Sequence, residues 1–173
     1  MLKIHLSKLV AVTLLLAGVL TLTAPESAIA ANKVDEAKKY TQQLKSSKDS
    51  KSRVAALNEL GDLGRLMKAL VKDAMPDMVE ALKDKDPEVR GAAATAVGKC
   101  DPNSEALDGL VNMLKNEKTE SVKIAALKGL GSAGPNAKSA LPAIKEIQKS
   151  EDKKSKLAKA AQDASRNIMQ KKN

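Results

Sequence analysis

The sequence has no phenylalanine and no tryptophan, and its one tyrosine is Tyr40. Pleated sheets are filled by aromatic and β-branched side chains. Their scarcity argues against a β-rich core and for close-packed helices of Ala, Leu, Val, Ile and Met. Cys100 is the only cysteine, so no internal disulfide can form and packing alone must hold the fold. His5 is the only histidine, which removes His-dependent triads and His-based metal sites. Arginine is scarce beside lysine. The formal net charge of +9 therefore rests mainly on Lys, a weaker reader of phosphate than the forked guanidinium. No metal-ligand cluster, phosphate-cradling loop or nucleophile motif is present. Nucleic acid is disfavoured because nothing is available to stack on bases. The sequence thus predicts a non-enzyme with no catalytic residue, no metal and no cofactor.

Long apolar runs are equally few. The one that exists, Leu9–Ala24, follows Lys3 and Lys8 and precedes Ser27-Ala28-Ile29-Ala30, with small residues at −3 and −1 of a cut after Ala30. That is the three-part pattern of a signal peptide over 1–30. The run falls short of the ~20 residues of a comfortable membrane span, although an uncleaved anchor is the alternative. The expectation is export, to the periplasm or beyond. Loss of Lys3, Lys8 and Glu26 would leave a mature charge of +8, and His5 would go with them.

What is present is a repeated helical pattern, clearest from Asp84 to Gly98. Pro87 suits a first helical turn, Asp84 and Asp86 are candidate N-caps, and Glu88 complements the helix dipole. Val89, Ala92, Ala93, Ala96 and Val97 recur at helical spacing, and Gly98 is expected to stop the helix as a left-handed C′ residue. A weaker copy runs from Arg53 to Gly61 and another from Val122 to Gly131. Gly61, Gly98 and Gly131 are 37 and 33 residues apart, and Met75, Leu107 and Leu141 are 32 and 34 apart. Periods of this length with two helices each mean a solenoid.

The expected organisation is an N-terminal capping helix over 31–46, repeats over 47–83, 84–116 and 117–149, and a C-terminal cap over 150–173. The second helices are expected to carry Met75, Met78, Val79 and Leu82, then Ala106, Leu107, Leu110, Val111 and Leu114, then Leu141, Ile144, Lys145 and Gln148 on their buried faces. Met67 and Met113 are expected in the core as well. Cys100, at a helix–helix turn, is expected to be a small, partly buried filler, with an intermolecular disulfide or a redox-active thiol as the alternative.

The motif Asp84, Asp86, Pro87, Val89, Arg90, Ala93, Ala94, Val97, Gly98 resembles HEAT repeats, most closely the short type named after phycobilisome lyases. Ala74-Met75-Pro76 and Ala140-Leu141-Pro142 match that pattern's second-helix opening. The resemblance covers about residues 47 to 169. It implies an all-α, right-handed α-solenoid of about three HEAT-like helix pairs with N- and C-terminal capping helices. It also implies an Asp–Arg ladder between repeats, kept by Asp84 and Arg90 but broken at the third repeat by Asn116 and Lys123. Val89, Arg90, Ala93, Val97, Gly98 and Gly131 would be structural.

In such solenoids the second helices usually line the concave face. Asp77, Glu80, Asn112 and Glu146 would then form a binding column for an unidentified protein or peptide. Lys153, Lys154 and Lys156 form a basic run that could touch an anionic membrane or envelope polymer. The family's name also suggests an accessory factor or enzyme of the chromophore-lyase type as an alternative.

Overall fold

The computed structural model describes residues 26–170, with side chains placed from residue 31 onward. The apolar run Leu9–Ala24, with Lys3, Lys8 and His5, lies outside the described residues. Among the described residues the chain is helical throughout and contains no strand. Its α-helices are α1 (Glu26–Ser46), α2 (Ser50–Leu66), α3 (Met75–Glu80), α4 (Pro87–Lys99), α5 (Ser104–Asn116), α6 (Glu120–Ala133), α7 (Leu141–Ser150) and α8 (Lys156–Met169). Short 3-10 turns, Lys68–Val71, Ala81–Lys83 and Gly134–Ala140, complete the list. Contacts divide the chain at Val34, and the body described here begins at Asp35.

Side-chain caps fix where the helices start. Asp49, Asp86, Asn103 and Ser155 accept the backbone N–H of Ser52, Glu88, Ala106 and Ala158 at 2.9, 2.8, 2.9 and 3.0 Å. Asp86 therefore caps α4, and Asp84 is left for another task. Two layers result. The first helices α2, α4, α6 and α8 pack side by side in that order. Behind them lie the second helices: α3 with its 3-10 extension, α5 and α7. The core between the layers is aliphatic, with Leu57, Leu60, Met78, Val89, Val97, Leu110, Leu114, Leu127, Leu130 and Ile144 fully buried. On α1, Ala37 and Leu44 are buried, and Tyr40 is half-buried beneath the Lys39 ammonium, 5.4 Å from its ring centre.

The landmark glycines do not end helices. α2 continues past Gly61 to Leu66, Gly98 lies inside α4, and α6 continues past Gly131 to Ala133. Each glycine instead faces the next first helix. A β-carbon on Gly61 would stand 3.0 Å from the Ala96 Cα, and one on Gly131 would stand 3.2 Å from the Ala164 Cα. One on Gly98 would overlap the backbone of Gly129, and one on Gly129 would overlap the Ala94 carbonyl. The helices stop elsewhere: Cys100 caps α4 before Asp101 turns at φ 55, and Gly134 closes α6 at φ 58. The reason is geometric. Helices this close have no room for a side chain at the crossing.

Other expectations need correction. Met67 and Leu66 are 52% and 69% exposed, because α2 ends there and turns them outward. Lys145 is exposed, and its expected place on the α7 face is taken by half-buried Ile147. The ladder does reach the third repeat, through Glu117, which stands 33 residues after Asp84 and is the aligned acid; Asn116 is one residue out of register. Cys100 is buried, as expected of a filler: its Sγ lies 3.8 Å from the Leu60 carbonyl and occupies the space left by Gly64.

Candidate functional site

Two polar seams tie successive repeats together. In the first, Arg53 grips Asp84 with two hydrogen bonds of 3.0 Å, and its third nitrogen donates to the Ser47 and Lys48 carbonyls. Arg90 repeats the arrangement on Glu117, at 2.7 and 3.2 Å, and donates to the Asp84 and Lys85 carbonyls. Paired, bidentate bonds of this kind fix orientation as well as distance. Glu117 also accepts the backbone N–H groups of Lys118 and Thr119. The Arg90 guanidinium, foremost, and these N–H groups hold its carboxyl down at about 2.

The second seam runs along the turns inside the repeats. Asp101, in its left-handed conformation, accepts from Lys68 of the preceding repeat and Asn136 of the following one. Beside it opens a cleft of about 540 Å³. Lys68, Ala69 and Lys72 line it, with Cys100, Asp101 and Asn103 of the following turn. Its floor is α3, where Met75 and Val79 are half-buried and so offer apolar surface to a ligand. Pro76 lies in the first turn of α3, where its missing N–H costs nothing, and also lines the cleft. Lys68, Lys72 and Lys83 line it together with the acids Glu80, Asp101 and Glu105, so its formal charges balance. Lys68 is engaged by Asp101, and Lys83 lies 3.4 Å from the exposed Glu80 carboxylate. Burial pushes the Cys100 thiol up to about 11, so at neutral pH it stays protonated and is a poor nucleophile.

The sequence-predicted residues divide across this surface. Glu80, Asn112 and Glu146 are exposed on α3, α5 and α7, but only Glu80 lines the cleft. Asp77 is half-buried and pairs with Lys45 of α1 at 3.3 Å, so it docks that helix. Asn112 accepts from Asn116 one turn on, which is local helix chemistry. Lys153 and Lys154 are exposed in the loop before α8, and Lys156 opens α8 itself. Val89, Ala93 and Val97 are fully buried, as structural residues should be. Sequence reasoning passed over Lys68, Lys72 and Asp101. No local signal marks them: Lys68 opens and Lys72 follows a 3-10 turn, in which residues three apart and not four share a face.

Among the described residues no group of three or more His, Cys, Asp or Glu could hold a metal ion. None of the described helices is long and apolar enough to cross a membrane. A family model of HEAT repeats matches residues 37–131. A curated relative, the bilin biosynthesis protein MpeU of Synechococcus sp. (strain WH8020), is 40% identical over 82 residues, covering 47% of this chain. The chain spans only 27% of that relative's length.

Proposed function

Because this chain belongs to the HEAT-repeat family, we propose that it is a non-enzymatic scaffold that binds a protein or peptide along its second helices, anchored in the cleft over α3. The observation that carries this reading is the half-buried Met75–Val79 floor beneath a rim of mixed charge, Lys68, Lys72 and Lys83 beside Glu80, Asp101 and Glu105. An aliphatic side chain of the partner would fill the floor, and an acidic group beside it would meet Lys72. Glu80 belongs to this site, while Asn112 and Glu146 extend it along the same layer. The signal-peptide pattern of 1–30 supports export and cleavage after Ala30, which N-terminal sequencing of the natural protein would test.

The functional test is a crosslinking pull-down from the organism's envelope fraction, run with the wild-type chain and with V79E/K72E. Placing a carboxylate on the floor and another on the rim should reduce capture of the specific partner at least tenfold, the worth of one buried anchor at about 1.5–3 kcal/mol. Undiminished capture by a variant with wild-type helicity would remove the cleft from the reading.

The relative's name supports a second reading, an accessory factor that holds a bilin. An open-chain tetrapyrrole bears carboxylates, which Lys72 suits, and an extended apolar body, which the floor suits. Cys100, buried and protonated, does not favour covalent attachment, so the holding would be non-covalent. Biliverdin titrated into the full chain should then acquire visible circular dichroism. A flat spectrum at saturating chromophore would discard this reading.

A further inference from the structure

A second groove, of about 800 Å³, opens on the other layer, where α4, α6 and α8 meet. Ile124 and Ala160 are half-buried in its floor. Lys128 of α6 and Lys156 and Lys159 of α8 stand along it, all exposed. None of the three has an ion-pair partner among the described residues. The acid on the groove, Asp163, already lies 3.5 Å from the Arg166 guanidinium. α8 also has no acidic residue in its first turn, although acids there would offset the positive end of the helix dipole. Lys156 opens that turn and Lys159 follows one turn later, so the local potential is positive where the helix itself would favour the opposite sign.

We infer that this groove is a docking surface for an acidic amphipathic helix of a partner protein. The charge complementarity is specific in sign, and the shape selects the occupant. A recessed aliphatic floor flanked by cations receives a helix that presents aliphatic residues on one face and carboxylates beside them. A bilayer would instead be met by apolar side chains standing out from the surface. The exposed large aliphatics among the described residues, Val34, Leu66, Met67 and Met169, are not among the residues of this groove. Lysine without arginine on the rim fits single carboxylates better than bidentate phosphate. Ser132 and Asn167, exposed at the edge, add hydrogen-bonding groups. This surface is independent of the cleft over α3.

The test uses the full chain and a dye-labelled Leu/Glu amphipathic peptide of about 14 residues, roughly 21 Å as a helix. Binding is read by fluorescence anisotropy at low and physiological salt. The wild-type chain should bind, and K128E/K156E/K159E should weaken binding at least about tenfold. A triple reversal of equal charge on the second helices, K115E/K145E/K149E, should change it less than about twofold. All six lysines are exposed, so circular dichroism should report unchanged folding. I124S, which keeps every charge, should also weaken binding. Equal loss from both triple variants would overturn the proposal in favour of net charge alone. A peptide of the same charge with its apolar stripe scrambled, binding equally well, would overturn it in favour of a polyanion surface. Binding to vesicles of acidic phospholipid through these lysines, with none to the peptide, would overturn it in favour of a membrane.

Discussion

Gly98 and Gly129 are the points where two helices touch backbone to backbone. A methyl group on Gly129 meets the Ala94 carbonyl, part of a helix that cannot yield locally. Gly129→Ala should therefore lower stability by about 1–3 kcal/mol or more despite alanine's better helix propensity. Gly91→Ala is the matched control. Its β-carbon would lie 3.6 Å from the Ala125 Cβ, an ordinary contact, so the propensity gain of up to about 1 kcal/mol should appear. Thermal melts of the two variants should move in opposite directions, and parallel shifts would contradict the close approach. The positions and spacing of these glycines were legible in the sequence, but their purpose was not. A glycine closing an apolar stripe reads as a stop when the neighbouring helix is unseen. The hint lay downstream, where Leu63 follows Gly61 and Ala133 follows Gly131 in the same helical register, and all are buried.

Between elements, the arginine ladder sets the spacing of one repeat on the next. Each arginine ties its own preceding loop and the acid that opens the following repeat. Glu117 makes that coupling pH-dependent. Its folded value of about 2 lies below the ordinary 4.5, so its contribution is present above about 4.5 and is lost as pH falls toward 2. Melts taken from pH 6 down to pH 2.5 should show stability declining below about 4.5, and Glu117→Gln should flatten part of that decline. At neutral pH the same variant should cost about 1.5–3 kcal/mol, typical of a hydrogen bond to a charged group. A decline of the same steepness in the variant would assign it to other carboxylates. The rung at Glu117 was misread through the register: the step of 33 residues that carries Arg90 to Lys123 and Gly98 to Gly131 carries Asp84 to Glu117, not to Asn116. The acid therefore stands at the aligned position and was legible in the sequence.

For the whole body, α4 is covered on both sides, by α2 and α6, while the segment Lys68–Val71 lies at an edge. Native-state hydrogen exchange should find the slowest amides in α4 and α6, and the fastest in Lys68–Val71 and in residues 35–46 of α1. Equal protection across these segments would mean that the stack opens only as one unit. The layered architecture was readable from composition and period because each repeat carries its own stripe. The clefts were not, because they form between repeats. Lys68 meets Asp101 across 33 residues and Lys128 shares a groove with Lys159, pairings that no local pattern contains.

Tyr40 gives this molecule an unusual optical property. It is the only aromatic residue in the chain, and it sits on α1, half-buried under Lys39. Near-ultraviolet signals therefore belong to α1 alone, while far-ultraviolet signals sum over every helix. Release of α1 and collapse of the stack can be followed as two separate traces in one cuvette, with no label introduced. Any bound chromophore would be seen against a nearly transparent protein.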